Sequence, residues 1–282
     1  MIKAYIELTK PRITWLILMS TGIGFFSGAD GGWTWLVLLH TIAGTALIAS
    51  GTAGLNQWYE WAADARMART RQRPIPSGRL TRTQAFVFSA VLSVAGFVEL
   101  ALGVNWLTGW LGLFTLATYL FVYTPLKQKS WHSTTVGAIP GAMPPLMGYV
   151  ASHGSLDWPG WALYAILFVW QFPHFYAIAW MYREDYGRAG IRMLPVVEPD
   201  GVSTARHILI FLLLLIPVSL APTLLAMTGT LYLVGALIAG AYFLRAGLRV
   251  VRDKSLMNAR GVLLASVVYL PVLYGLMLVD RR

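Results

Sequence analysis

Three oxygen-bearing side chains, Asn56, Glu60 and Asp64, follow one another at a spacing of four residues. In an α-helix this spacing keeps all three within about 80° on one face, with about 6 Å between successive residues along the axis. Carboxylates near the C-terminal end of a helix meet partial negative charge there, so they need a positive partner. Hard oxygen ligands of this kind are the ones that proteins use to hold Mg²⁺. The spacing therefore predicts a divalent-cation site.

An arginine-rich segment follows directly. Four arginines stand within eight residues, and Pro74 and Pro76 then stiffen the chain; the arginines are Arg66, Arg69, Arg71 and Arg73. Guanidinium groups match phosphate oxygens well. The carboxylates alone could form a helix cap or surface pairs with these arginines. Acids and arginines together predict a site for a metal ion and a diphosphate.

Two further clusters have a similar composition. The first is Tyr123-Thr124-Pro125-Leu126-Lys127, which brings hydroxyl groups and a cation to the end of an apolar run. The second, at 182–185, contains Arg183 and Asp185. Asp185 could hold a second metal ion, and the alternative is a surface pair with Arg183 or Arg188. Lys127 could equally be an ordinary loop cation.

One histidine is unusual because it lies within an apolar run. His174 is about eight residues inside a predicted helix, next to Pro173 and near Gln171. Polar groups inside a membrane are costly unless they face a cavity or a partner. A hydrogen-bonded core histidine and a ligand-binding one are both consistent with this position. The Gly- and Pro-rich run 137–145 predicts a broken or kinked helix nearby.

These residues must be positioned by a membrane protein. Hydrophobic residues make up 57% of the 282, charged residues 12%, and the mean hydropathy is +0.60. Apolar runs long enough to cross a hydrocarbon core of about 30 Å recur along the chain. The predicted fold is all-α, a polytopic membrane bundle of about nine transmembrane helices with loops capping the cytosolic side, in a single domain, 1–282. The predicted spans are 13–28, 34–58, 84–102, 106–123, 135–151, 159–182, 206–227, 230–248 and 261–279.

Positive charge is distributed unevenly among the loops. Of the 22 Lys and Arg residues, 20 fall in the N-terminus and in alternate loops. The intervening loops contain none; they are 29–33, 103–105, 152–158 and 228–229. Cytosolic loops retain positive charge, so the N-terminus is predicted to be cytosolic and the C-terminus to lie on the opposite side. The net charge of +10 thus reflects topology and does not indicate nucleic-acid binding. The absence of cysteine excludes disulfides, thiolate metal sites and covalent haem attachment through CxxCH.

Longer strings around these residues resemble a known family. Asn56-x-x-x-Glu60-x-x-x-Asp64 is similar to the first aspartate-rich motif of the UbiA-type intramembrane prenyltransferases. The wider strings resemble the protohaem IX farnesyltransferase (haem O synthase) branch of that family. They are LTKPRIT at 8–14, NQWYEWAADARMARTRQRPIPSG at 56–78, YTPLK at 123–127, GAIPGAMPPLMGY at 137–149 and WQFPHFYAIAWMYREDYGRAG at 170–190. The resemblance extends over nearly the whole chain.

The resemblance implies a reaction and its substrates. A farnesyl group would pass from farnesyl diphosphate to a vinyl group of haem B, giving haem O, in the bacterial inner (cytoplasmic) membrane. Haem A synthase or the assembly of terminal oxidases would lie downstream. Mg²⁺ would be bound by Asn56, Glu60 and Asp64, with Asp185 as a further ligand, and His174 would contact haem. The diphosphate would be bound by Arg12, Arg69, Arg73, Tyr123, Lys127 and Arg183. The residues taken as catalytic are Asn56, Glu60, Asp64, Lys127 and Asp185.

The chain departs from the family pattern in two places. The middle carboxylate is Glu60, where Asp is commoner, and this keeps the charge on a longer side chain. The second motif lacks a D-x-x-x-D pair, which leaves Asp185 and Tyr182 as substitutes. Two other functions remain open from the residues: a prenyltransferase acting on an aromatic quinone precursor, and an ion-coupled transporter. Transporters usually place their acids near the membrane midplane, whereas these acids gather at one side.

Overall fold

A computed structural model describes residues 1–29 and 32–282. The described chain is helical, with a π-helical segment at Thr118–Tyr123 and one isolated β-bridge. The helices are α1 (Ile2–Leu8), α2 (Pro11–Gly28), α3 (Trp35–Asp64), α4 (Arg82–Gly103), α5 (Trp106–Ala117), α6 (Thr124–Leu126), α7 (Ser133–Gly141), α8 (Met143–His153), α9 (Trp158–Met181), α10 (Arg183–Arg188), α11 (Leu194–Val197), α12 (Val202–Leu224), α13 (Thr230–Arg252) and α14 (Leu256–Val279). The prediction of an all-α membrane bundle is confirmed.

Seven stretches within the described ranges are long and apolar enough to cross a membrane. They are α3, α4, α9, α12, α13, α14 and the continuous stretch Trp106–Leu126. The two other predicted spans coincide with α2, which has 18 residues, and with the pair α7 and α8. Nine is thus an approximate count. Part of the predicted loop 29–33, at positions 30 and 31, lies outside the described residues.

The predicted break at 137–145 divides one span into α7 and α8. α7 ends at Gly141, and α8 begins at Met143 with prolines in its first turn. Proline has no amide hydrogen and is tolerated where a helix begins, since the first amides of a helix have no partner in the helix. Gly141 also lies against Gln171, because a β-carbon at position 141 would be 2.1 Å from the Gln171 amide oxygen. The break therefore lets the chain approach α9 closely.

Small residues bring the helices of the bundle into close contact. A β-carbon at Gly24 in α2 would lie 1.9 Å from the carbonyl oxygen of Pro145, and one at Gly148 in α8 would lie 1.8 Å from that of Thr21. In α4, a β-carbon at Gly96 would lie 2.4 Å from the backbone nitrogen of Ile48 in α3. Helices in membranes associate through such close backbone packing, because lipid offers little hydrophobic driving force between them.

We expect Gly24→Ala to destabilise the bundle by about 1–3 kcal/mol, because the added methyl group meets backbone that cannot rotate away. The apparent melting temperature in detergent measures the change. Gly22→Ala is the matched control in the same helix, since no atom lies within 4 Å of its added β-carbon. It should be neutral or slightly stabilising. Equal losses for both variants would contradict close packing at Gly24.

One end of the bundle, which we call the basic end, is closed by contacts between distant segments. α3, α6, α9 and α13 end here, and α2, α4, α7, α12 and α14 begin here. The Lys127 carbonyl accepts a hydrogen bond from the Arg192 amide at 2.8 Å, and the Lys254 carbonyl accepts one from the Trp180 indole at 2.8 Å. The loops at the basic end are therefore held together as a cap. The residues predicted to bind the metal ion and the diphosphate lie at this end.

Candidate active site

Asn56, Glu60 and Asp64 form a row on the final turns of α3, and we call these three residues the oxygen row. The helix continues to Asp64, six residues beyond its predicted end, so the spacing of four is realised on one regular helix. All three residues are buried, with exposed fractions of 2%, 8% and 1%. The Asn56 amide donates to a Glu60 carboxylate oxygen at 2.7 Å and to the Thr124 hydroxyl at 3.2 Å. The row therefore faces the protein interior.

Three cations from three other segments contact the oxygen row, and we call them the cation ring. The Lys127 ammonium donates to Glu60 Oε2 at 2.9 Å. Arg73 Nη1 is 2.8 Å from each oxygen of Asp64. The Lys10 ammonium donates to Asn56 Oδ1 at 3.2 Å. Buried charges need partners, and here each carboxylate has its own cation.

Lys10 was missed by the sequence prediction, which chose Arg12 from the same string. Lys10 stands between α1 and α2 in the left-handed region, with φ 49°. Such a backbone costs energy for a residue other than glycine and often marks a functional site. Burial, and then repulsion from Arg73 and Lys127, lowers the pKa of Lys10 from 10.5 to about 7. Arg12 is exposed and makes no hydrogen bond or ion pair with any described residue.

Lys127 is positioned by the π-helical segment that precedes α6. The Thr124 hydroxyl donates to the Tyr119 carbonyl at 2.7 Å, and the same hydroxyl accepts from Asn56. The Lys127 ammonium lies 4.4 Å from the centre of the Tyr123 ring. π-helical turns often occur at functional sites because they re-aim the side chains beyond them. Tyr123 therefore lies next to the site, with its ring against the Lys127 ammonium.

Asp185 and Arg69 join the arginine-rich loop to α10. The Asp185 carboxylate accepts from the amides of Ala68 at 3.1 Å and Arg69 at 3.5 Å, and from the guanidinium of Arg188. Burial would raise the pKa of Asp185, but these hydrogen bonds outweigh it and hold the pKa below its ordinary value. Arg69 donates to the Tyr186 hydroxyl at 2.8 Å, and its guanidinium carbon is 4.8 Å from the centre of that ring. The loop is thus held in place at the edge of the site.

The other predicted site residues have their contacts elsewhere. Arg183 donates to the Trp180 carbonyl at 2.9 Å and lies over the Trp180 ring. Among the described residues, no three His, Asp or Glu side chains gather closely enough to hold a metal ion by themselves. Asp185, which binds the loop, is therefore not grouped with Glu60 and Asp64. The third oxygen-bearing group in the row is the Asn56 amide, beside the two carboxylates.

His174 lies in α9 against α14. Its Nδ1 is 2.7 Å from the Ser266 hydroxyl, and the ring stacks on Trp170 with centroids 4.7 Å apart. Because the Ser266 hydroxyl donates to the Leu263 carbonyl at 2.6 Å, it accepts from His174, which places the imidazole proton on Nδ1. Nε2 then carries a lone pair, and it has no hydrogen-bond partner in the described part of the chain. The histidine is therefore oriented by one nitrogen, with the other left as an acceptor.

The chain is similar to known proteins over most of its length. The UbiA prenyltransferase family matches residues 17–269. The chain is 63% identical to protohaem IX farnesyltransferase from Solibacter usitatus, with 98% of each chain covered. It is 46% identical to the protein of that name from Koribacter versatilis, with 100% of this chain and 94% of the relative covered.

Solved structures show the same fold at low sequence identity. A chain from a study of digeranylgeranylglyceryl phosphate synthase in membranes has a TM-score of 0.83 and 18% identity, covering 99% of this chain and 98% of its own. A UbiA homologue from Archaeoglobus fulgidus bound to GPP and Mg²⁺ has a TM-score of 0.69 and 13% identity, covering 97% and 99%.

The resemblance seen in the sequence strings is thereby confirmed, as is the prediction of a polytopic membrane protein. The protein is a prenyltransferase enzyme, and the alternative of an ion-coupled transporter is excluded. The family match extends over most of the chain, and the two relatives are covered over 98% and 94% of their length. The chain therefore belongs to the UbiA prenyltransferase family.

Proposed function

We propose that this enzyme transfers the farnesyl group of farnesyl diphosphate to a vinyl group of haem B, in a reaction that depends on Mg²⁺ and forms haem O. The observation that carries the proposal is the buried oxygen row with its cation ring. The name of the full-length relatives supports the choice of acceptor and donor. The proposed reaction would be the first step of haem A synthesis. Haem A synthase and the assembly of terminal oxidases would use its product.

The oxygen row fits Mg²⁺ by the chemistry of its donors. Asn56, Glu60 and Asp64 offer one amide and two carboxylate groups, and hard oxygen ligands with a low count of protein carboxylates suit an ion that keeps water and phosphate as its other ligands. When bound, Mg²⁺ supplies positive charge that makes diphosphate a better leaving group. The A. fulgidus homologue with GPP and Mg²⁺ supports this role by analogy. Asp185 as a further metal ligand remains part of the proposal.

The cation ring stabilises the departing diphosphate. As the bond between C1 of the farnesyl group and oxygen breaks, negative charge grows on the diphosphate, and fixed cations lower the barrier most where charge develops. Lys127 and Arg73 are already held within the site by Glu60 and Asp64. Arg69, Tyr123, Arg183 and Arg12 are proposed to contribute to diphosphate binding.

The acceptor step is a separate part of the proposal. A new bond joins C1 of the farnesyl group to the terminal vinyl carbon, and the cation left beside the macrocycle takes up water and loses a proton, which gives the hydroxyethylfarnesyl side chain. The allylic cation would need a dry, apolar surrounding with aromatic rings, which a bundle with 12 Trp, 13 Tyr and 12 Phe can supply. His174 is proposed to contact haem through Nε2, since its Nδ1 is engaged by Ser266. An oriented imidazole of this kind is suited to bind iron.

Topology completes the proposal. The chain acts as a single domain, 1–282, in the inner membrane. The cytosol faces the basic end, so the N-terminus is cytosolic and the C-terminus lies on the opposite side. Cytosolic access to a water-soluble pyrophosphate product is consistent with this orientation. The positive-inside rule supports it.

The test is to incubate membranes carrying the protein with haem B, farnesyl diphosphate and Mg²⁺ and to separate the extracted haems by chromatography. We expect a farnesylated haem that disappears with EDTA and returns with excess Mg²⁺. Membranes without the protein are the control. Prenylation of an aromatic quinone precursor, with haem B unchanged, would favour the alternative acceptor. Full conversion in EDTA would contradict the metal role.

Lys10 and Arg12 offer a local test of the diphosphate site. We expect Lys10→Gln to lower kcat/KM for farnesyl diphosphate by about 10- to 100-fold, because a fixed cation is lost from the site. Gln keeps the β-carbon, so the backbone cost of the left-handed conformation is unchanged. Arg12→Gln should lower kcat/KM by a smaller factor, because the Arg12 side chain is exposed and makes no hydrogen bond or ion pair with a described residue, so that it would contribute from the edge of the site. The opposite ranking would make Arg12, and not Lys10, the main diphosphate ligand of this segment.

A further inference from the structure

A cavity separate from the oxygen row lies at the basic end, between the start of α12 and the end of α13. Its volume is about 220 Å³. It is lined by Val202, Ala205, Arg206, Leu209, Val251 and Lys254. Four of the six are apolar and two are cationic, and none belongs to the oxygen row or the cation ring. The cavity thus joins two positive charges to an apolar wall, away from the site described above.

The two cations of this cavity are not neutralised within the protein. Neither the Arg206 nor the Lys254 side chain makes a hydrogen bond or ion pair with any described residue. The carboxylates nearest to them in sequence, Asp200 and Asp253, accept hydrogen bonds from other groups. Asp200 accepts from the Val202 amide at 3.0 Å, and Asp253 accepts from the Asn258 amide at 2.9 Å. Two positive charges beside one cavity without an acid favour an anionic ligand.

Trp180 fixes both sides of the cavity. Its indole nitrogen donates to the Lys254 carbonyl at 2.8 Å. A β-carbon at Gly201, just before α12, would lie 2.4 Å from the same ring, so the ring packs directly on that backbone. Gly201 has φ 71°, a conformation that favours glycine. The spacing between the start of α12 and Lys254 is therefore set by the fold and needs little reorganisation on binding.

The position of the cavity identifies the ligand. Val202 and Val251 are 43% and 38% exposed, and the apolar surface continues along α12 to Ile210, which is 50% exposed. In a membrane-spanning bundle this surface meets acyl chains, while Arg206 and Lys254, at the helix ends, meet the headgroups. Lys and Arg at this level attract anionic lipids. A free phosphate would use the cations and leave the apolar wall without a partner.

We propose that this cavity binds an anionic phospholipid, with its phosphodiester between Arg206 and Lys254 and an acyl chain along Leu209 and Val251. Arg206 lies in α12 and Lys254 in the segment between α13 and α14, so a bound phosphodiester would join these two parts of the chain. The proposal does not depend on the identity of the prenyl acceptor.

The test uses the full chain in nanodiscs made of phosphatidylcholine with a small fraction of phosphatidylglycerol, followed by native mass spectrometry of the retained lipids. We expect the protein to retain phosphatidylglycerol in preference to phosphatidylcholine. Arg206→Gln with Lys254→Gln should weaken that preference by about tenfold, because two interfacial cations are lost. Leu209→Trp keeps both cations and fills the cavity, and it should weaken retention as well. Circular dichroism and melting temperature check that each variant is folded.

The matched control is Arg252→Gln with Arg260→Gln, which removes two exposed cations from the same end without touching the cavity. It should leave the retained phosphatidylglycerol nearly unchanged. An equal loss of phosphatidylglycerol in this control would mean that the overall charge of the basic end attracts the lipid. That result would overturn the proposal. So would equal retention of both lipids, or displacement of phosphatidylglycerol by millimolar inorganic phosphate, which would identify a free-anion site instead.

Discussion

Asp64→Asn is expected to lower the rate of prenyl transfer by about 10²- to 10³-fold, the range seen when one fixed group that stabilises transition-state charge is lost. Asp64 is 1% exposed, and both of its oxygens bond to Arg73. Asparagine keeps the size and one oxygen but removes the charge that the metal and Arg73 need. The rate should remain low at saturating farnesyl diphosphate, and more Mg²⁺ should be needed for half-maximal activity.

Asp253→Asn is the control for this prediction, because it makes the same chemical change at the same end of the bundle. Asp253 is exposed, and its side chain contacts Asn258 alone among the described residues. The control should retain activity within about twofold. Melting temperatures of both variants are needed, since Arg73 loses its partner in Asp64→Asn. Wild-type activity in a folded Asp64→Asn protein would remove the basis for the metal site.

The oxygen row could be predicted because its information is local. Asn56, Glu60 and Asp64 lie on one helix, and a spacing of four residues places them on one face whatever the rest of the fold does. The break between α7 and α8 was predictable for a similar reason, since Gly141 and the prolines that follow it act on their own backbone.

The partners of the row depend on distant segments and could not be predicted from local spacing. Lys10 meets Asn56 across 46 residues, and Lys127 meets Glu60 across 67. Which cation of 8–14 enters the site depends on the left-handed turn at Lys10, and nothing in the hydrophobic pattern indicates that turn. Asp185 was predicted as a metal ligand from its residue type, whereas its observed contacts are with loop amides 117 and 116 residues away.

Local spacing, which forms the oxygen row, and contacts between distant segments, which form the cation ring, have different consequences for function. In the proposed mechanism, the row would hold the divalent cation. The ring would stabilise the departing diphosphate, and its members come from the end of α6, the arginine-rich loop and the junction of α1 and α2. The largest effect outside the row is therefore expected at one of the two ring members that neutralise a carboxylate, Lys127 or Arg73.

Of these two, Lys127 has the more buried side chain, which is 13% exposed against 27% for Arg73. We expect Lys127→Gln to lower kcat/KM by about 100-fold or more, with most of the loss in kcat, because its charge acts most strongly as the diphosphate departs. Glu60 would also lose the ammonium that neutralises it at 2.9 Å. Lys127→Arg should recover part of the activity, since it restores the charge with a different shape.

Lys129→Gln is the matched control, two residues further along the chain. Lys129 is exposed, and its side chain has no partner among the described residues. Equal losses at Lys127 and Lys129 would mean that the basic end attracts farnesyl diphosphate through its overall charge. In that case high salt should abolish the difference from wild type, because exposed charges are screened within about 10 Å at 0.1 M ionic strength. A loss at Lys127 that persists in high salt, with Lys129→Gln unaffected, would locate the effect in the contact between Lys127 and Glu60.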